Sequence, residues 1–179
     1  LRDILLHTHD HVSPRAEALL YAADRAHHVD TLIRPALDRG EIVITDRYLD
    51  SSIAYQGAGR VLSPGEVGRI SRWATEGLTP TLTIIIDLPA EVGIGRLKSR
   101  DRLESESIAF HERVRQEYLS LSLLDPERYI VIDGRQSIEG IHAAITSRVI
   151  ELSDLNKIEK KPKTKKRIIK KPQLRKSSK

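Results

Sequence analysis

Cysteine and methionine are both absent from these 179 residues. Without cysteine there is no disulfide framework and no thiolate metal site, and nothing supports a secreted origin. Without methionine the chain does not open on an ordinary initiation residue, so the sequence predicts further residues before Leu1. No apolar run approaches the roughly 20 residues of a membrane-spanning helix. The opening Leu1-Arg2-Asp3 lacks the hydrophobic core of a signal peptide. These absences point to a cytoplasmic protein with no membrane partner.

What is there is unevenly charged. The formal net charge is +5, yet from Lys157 to Lys179 there are 12 Lys/Arg against one acid, Glu159, leaving 18 basic and 24 acidic residues before them. An acidic body thus carries a separate basic tail. The length suits one domain with a proper core, taken as residues 1–155. The tail, 156–179, combines Pro162, Pro172 and repeated lysines with few apolar residues and is expected to stay disordered. It is either a solvated extension or a non-specific contact for nucleic acid through counterion release; with no aromatic to stack bases, it does not read sequence.

Strand and helix signals alternate through the body, which defines an α/β protein. Ser13 and Pro14 open a helix over 14–39, with Ala16, Leu19, Leu20, Ala23, Val29, Leu32 and Ile33 near helical spacing and Pro35 kinking or ending it. Apolar runs predict strands at 41–46, 82–87 and 129–133. The unbroken Ile84-Ile85-Ile86 suits a parallel strand covered on both faces. Helices are predicted from the Ser63-to-Glu66 capping pattern to about Glu76, from about Glu91, from about Ser105 to Leu124, and from Ser137 to about Leu152.

The most informative stretch is Asp46-Arg47-Tyr48-Leu49-Asp50-Ser51-Ser52-Ile53-Ala54-Tyr55-Gln56-Gly57, directly after Ile42-Val43-Ile44. An acid and a guanidinium thus emerge at a strand end, the ligand edge of an open α/β sheet. Arg47 offers forked donors matched to a phosphate; alone it reads more readily as a structural ion-pair partner of Asp46 or of a helix acid. Tyr21 and Arg25, four apart, share a helix face, as many ordinary surface pairs do. His7, His9 and His11 alternate, but no acid or cysteine cluster completes a metal site with them.

The 46–57 stretch resembles the signature of the thymidylate kinase family, and Glu17-Ala18-Leu19-Leu20-Tyr21-Ala22-Ala23-Asp24-Arg25 resembles that family's base-binding helix. The resemblance covers roughly residues 1–152. It implies a P-loop NTPase-like parallel sheet with helices on both faces, and transfer of a phosphoryl group from ATP, with Mg2+, to thymidine monophosphate. By resemblance Arg47 holds the acceptor phosphate; Tyr21 stacks on thymine where the family usually has phenylalanine, and Arg25 bonds the base's carbonyl edge. Ser52, Tyr55 and Gln56 touch base and sugar, and Asp46 lies near the metal, directly or through water. Asp101-Arg102-Leu103-Glu104 resembles the end of the mobile lid, at about 97–104, so Arg96, Arg100 and Arg102 are the arginines that would neutralise the transferring phosphoryl group, unless they form only a solvated basic loop. Arg135, after the last strand, falls where the family packs a loop against adenine. The family also implies a homodimer formed through helices.

The chain contains no Gly-x-x-x-x-Gly-Lys-Ser/Thr; Gly57/Gly59 and Gly93/Gly95 lack the lysine and the spacing. The resemblance therefore places a first βαβ segment, with its phosphate loop, before Leu1. These residues alone are expected to fold poorly and to be inactive. Competing readings are a non-catalytic nucleotide- or nucleic-acid-associated protein and another nucleotide kinase of the same fold.

Overall fold

The computed structural model describes residues 12–97 and 101–159. Helix α1 (Pro14–His28) begins at Ser13, whose side-chain oxygen accepts the Ala16 N–H at 3.4 Å. Pro14 fits the first turn because an N–H there has no helical partner to lose. The single helix predicted over 14–39 is three consecutive pieces: α1, a π-helical turn π1 (Val29–Ile33), and α2 (Arg34–Asp38). Pro35 is the cause. It donates no N–H and its ring presses on the preceding turn, so the helix widens rather than breaks, with the Arg34 N–H reaching back to Val29 O.

Residues 41–45 follow that helix without regular secondary structure, and the strand expected over 41–46 does not form. They join no ladder among the described residues, and Ile42 and Ile44 are 86% and 93% exposed. A strand depends on hydrogen bonds from a neighbour, and among the described residues none flanks this segment. Val43 alone packs inward, against Val29, Ile33, Tyr48, Leu49 and Ile53.

Helix α3 (Leu49–Ser52) runs into a second π-helical segment, π2 (Ile53–Gly59). Arg113 terminates π2 by donating to Ala58 O at 3.3 Å and Gly59 O at 2.9 Å. Glycine is required at 59: a Cβ there would lie 2.7 Å from a Phe110 ring carbon. Helix α4 (Pro64–Ala74) is capped by Ser63, which accepts the Glu66 N–H at 3.4 Å. It ends two residues earlier than predicted because Glu76 and Gly77 turn left-handed, and the Gly77 N–H closes on Arg72 O at 2.9 Å.

Strands β1 (Thr83–Asp87) and β2 (Tyr129–Asp133) pair in parallel, Thr83 opposite Tyr129 through to Asp87 opposite Asp133. Between them lie α5 (Ala90–Gly95) and α6 (Ile108–Leu124), and α7 (Ile138–Glu159) follows β2. Helix α6 starts at the Ser107 cap rather than near Ser105, because Asp101 and Glu104 close a turn on each other, each N–H bonding the other's carboxylate at 3.0 and 2.8 Å. The alternation is that of an α/β fold. Among the described residues Ile84, Ile86 and Val131 keep partial exposure.

A buried polar tie fixes α3 to the sheet. Asp50, 3% exposed, accepts Arg128 Nη1 at 2.8 Å and Nη2 at 3.3 Å, and Thr83 Oγ1 at 3.4 Å. At the other end of β1, Arg115 of α6 grips Asp87 with two bonds of 2.7 and 2.9 Å.

The chain divides into two compact units, one ending at Ile141 and one beginning at His142. The described part of the second is the remainder of α7, in which Arg148 donates to Glu151 at 2.8 Å. Helix α7 continues to Glu159, beyond the helix end expected at about Leu152, because no proline interrupts it before Pro162 and Leu, Lys and Glu are good helix formers. The rest of the basic tail lies outside the described residues, as do His7, His9 and His11. Among the described residues no helix is long and apolar enough to cross a membrane.

Candidate active site

The chain has five Tyr, one Phe and one Trp. Tyr21, Tyr48, Tyr55, Phe110 and Tyr118 gather around the 46–56 stretch, which spends most of the chain's aromatic surface on one place.

Arg47 sets its geometry. Its φ is 65°, in the left-handed region that costs a non-glycine residue about 1 kcal/mol or more. The turn is held by Thr45 Oγ1 donating to Arg47 O at 3.1 Å, and by the burial of Tyr48 and Leu49 directly after it. The residue is exposed, yet its guanidinium carbon lies 4.7 Å from the centre of the Tyr55 ring. Burial of the guanidinium disfavours its charge, but the Tyr55 and Tyr118 oxygens and Asp46 outweigh this and raise its pKa. The result is a fixed cation lying on an aromatic face. Tyr55 in turn packs edge-on against Phe110, centroids 6.0 Å apart.

Arg25 reaches the same region from α1. Its Nη2 donates to Ser52 Oγ at 3.2 Å, and its guanidinium carbon stands 5.3 Å from the Tyr48 ring centre. Burial lowers its pKa, though an arginine stays charged at any physiological pH. Its Nε is buried without a hydrogen-bond partner among the described residues. Tyr21, one turn earlier, packs half-buried with Tyr55 and Tyr118 against Ala54, Leu103, Phe110 and Val114. Burial, helped by the charge of Glu17, raises the pKa of the Tyr21 hydroxyl.

Two residues at this site escaped the sequence reading. Tyr118 shares a 2.6 Å hydrogen bond with Ser51, and burial pushes its hydroxyl up to about 12, so it stays protonated at neutral pH. Its position four residues after Val114 and eight after Phe110 on α6 was the available signal. Glu17 has a fully buried side chain. It accepts Gln56 Nε2 at 3.0 Å, Arg60 Nε and Nη2 at 3.3 and 3.2 Å, and Arg102 Nη2. Burial pushes its carboxyl up, but the bonds from Gln56, Arg102 and Arg60 outweigh that and hold it below the ordinary range.

Ser52 and Gln56 are each 2% exposed and already bonded within the protein, to Arg25 and Glu17. Arg102 is tied to Glu17. Asp46 is exposed beside Arg47, and Arg96 is exposed at the end of α5. Arg100 lies outside the described residues. Arg135 forks onto Asp133 at 2.9 and 2.8 Å, an exposed pair at the end of β2 in which Arg135 draws the Asp133 carboxyl down to about 2. No group of three or more potential metal ligands occurs among the described residues.

The strand-end acid Asp87 gives a pH prediction. Hydrogen bonding from Arg115 lowers its pKa in the fold, so its contribution to stability is present above the unfolded value, about 3.9, and disappears as pH falls through the lowered folded value. Thermal melts of Asp87→Asn are therefore expected to fall less steeply than wild type below about pH 4. An unchanged slope would mean the Arg115 pair does not form in solution.

The sequence model of the thymidylate kinase family matches residues 1–145. The chain is 57% identical over 152 residues to the thymidylate kinase of Clavibacter michiganensis subsp. michiganensis (strain NCPPB 382), spanning 83% of this chain and 72% of that protein. It is 56% identical over 153 residues to the thymidylate kinase of Leifsonia xyli subsp. xyli (strain CTCB07), with the same coverage of 83% and 72%. It is 51% identical over 158 residues to that of Bifidobacterium longum (strain NCC 2705), 86% of this chain and 77% of the relative. This protein therefore belongs to the thymidylate kinase family, whose α/β fold is that of the P-loop NTPases.

Proposed function

We propose that this protein transfers the γ-phosphoryl group of ATP to thymidine monophosphate, giving ADP and thymidine diphosphate. The observation that carries the reading is the convergence of two cations on one aromatic-lined face: Arg47, fixed over Tyr55 by a left-handed turn, and Arg25, desolvated beside Ser52. A phosphate needs the first and the carbonyl edge of a base suits the second.

Within this reading Arg47 forks onto the acceptor phosphate, Tyr21 stacks on the base, and Arg25, whose buried Nε has no acceptor among the described residues, recognises its edge. Tyr55 borders the sugar, and Ser52 and Gln56 act by holding Arg25 and α1 rather than by reaching out. An acceptor phosphate oxygen attacks the γ-phosphorus in line, the bond to the ADP oxygen breaks, and no proton need move. Positioning and charge neutralisation supply the catalysis. Arg96 and Arg100 are the arginines assigned to the transferring group, and Arg135 to the adenine side. Mg2+ is commonly held by one or two carboxylates together with substrate phosphates, and the lone exposed carboxylate of Asp46 fits that habit; bound there, the ion would offset the phosphates' charge. We place the enzyme in the cytoplasm. Leu19 and Trp73, exposed on α1 and α4, support pairing of two copies through helices.

The test is a steady-state assay of the full-length protein with ATP and thymidine, uridine and cytidine monophosphates. A clear preference for thymidine monophosphate supports the reading; transfer to none of them, or a preference for another base, contradicts it. Arg25→Ala is expected to raise KM for thymidine monophosphate by about tenfold or more, as befits loss of a charge-assisted hydrogen bond, while KM for ATP stays near wild type. Equal effects on both would remove Arg25 from the base.

A further inference from the structure

Glu17 carries a carboxylate on a fully buried side chain, and the reaction as written gives it nothing to do. It stands four residues before Tyr21 and eight before Arg25 on α1, so all three share one helix face. Its two oxygens take four donors: Gln56 and Arg60 Nε on one, Arg60 Nη2 and Arg102 on the other. That fills the capacity of a carboxylate. Arg60 is shared with Glu106, so among the described residues two acids face two guanidiniums in this cluster. A buried network that is fully satisfied is rigid, and removing one member leaves the others unpaired.

The donors come from two separate pieces of chain. Gln56 lies in π2 between the Arg47 turn and Gly59, Arg60 follows π2, and Arg102 belongs to the 101–105 turn that leads into α6. Leu103 of that turn packs with Ala54, Phe110 and Val114, against which Tyr21 and Tyr55 lie. We propose that Glu17 is a positioning residue: its carboxylate seats Arg102 and Gln56 against α1 and so fixes the 101–105 turn and π2 relative to Tyr21 and Arg25. It touches no substrate itself. This rests on the acceptor-site reading above and adds to it the reason Arg102 is held inward rather than offered to the transferring phosphoryl group.

Glu17→Gln removes the charge but keeps the shape, and Arg102→Met removes the other partner while leaving the Glu17–Arg60 pair in place. Both are compared with the double variant in the full-length enzyme. Each single change is expected to lower kcat/KM for thymidine monophosphate about tenfold, with KM for ATP within about twofold, and the double variant to be no worse than the poorer single one, the mark of two residues acting as a unit. Arg102→Lys should recover part of the loss. Wild-type kinetics in both single variants, losses that multiply in the double, or a loss confined to Arg102→Met would each overturn the inference. If Glu17→Gln does not fold, Arg102→Met and Arg102→Lys decide alone: an unchanged kcat/KM for thymidine monophosphate, or a loss that Lys does not relieve, overturns it. Absence of transfer by the wild-type protein would instead overturn the acceptor reading.

Discussion

Arg47→Ala in the full-length enzyme is expected to lower kcat/KM for thymidine monophosphate by about 10³-fold, the scale on which loss of one fixed charge-stabilising donor acts in a transferring site. The guanidinium is pre-placed: a left-handed backbone at φ 65 and the Tyr55 ring 4.7 Å away hold it, so little ordering remains when the phosphate arrives. Arg47→Lys keeps the charge but loses the fork and should recover only part of the rate. Arg47→Gly separates chemistry from strain, because glycine adopts that backbone freely. It should be as inactive as the alanine variant while melting no lower than it. Steady-state kinetics with thymidine monophosphate varied at saturating ATP make the measurement, and a loss below about tenfold would remove Arg47 from the phosphate.

Arg128→Ala is expected to destabilise the protein by about 3 kcal/mol, the lower end of the range for stranding one member of a buried ion pair. Asp50 is 3% exposed and takes both Arg128 bonds, so the substitution leaves an uncompensated carboxylate between α3 and β1. Adding Asp50→Asn should restore a part of that loss, because the stranded charge goes with it. Denaturant titration of the three proteins checks this, and a loss under about 1 kcal/mol for the single variant would show that water reaches Asp50. Since α3 carries Ser51 and Ser52, thymidine monophosphate binding should weaken alongside stability.

Candidate site residues are easier to name from sequence than sheet pairing. Tyr21, Arg25, Arg47, Ser52 and Tyr55 stand out as candidates by local pattern alone: a spacing of four on a capped helix, and a run of residues after an apolar segment. Structure brought them to one face through Arg25–Ser52 and Arg47–Tyr55. The strand at 41–46 was legible as an apolar run, but hydrophobicity cannot report whether a neighbouring strand is present to bond it, and Ile42 and Ile44 are exposed as a result. Glu17 was unreadable for the opposite reason. A glutamate on an amphipathic helix signals a solvated face, and only the folding of π2 and the 101–105 turn onto α1 surrounds it with arginines. For Gln56 and Arg102 the sequence shows that a side chain can donate without showing that Glu17 accepts from both.

Calorimetric titration of the full-length protein with thymidine monophosphate and with thymidine, repeated on Arg47→Ala, tests the central claim most directly. The account predicts that wild type binds the monophosphate far more tightly than the nucleoside and that the variant nearly erases the difference, leaving thymidine affinity as it was. A variant that still prefers the monophosphate by the wild-type factor would contradict it, because the phosphate would then be held elsewhere.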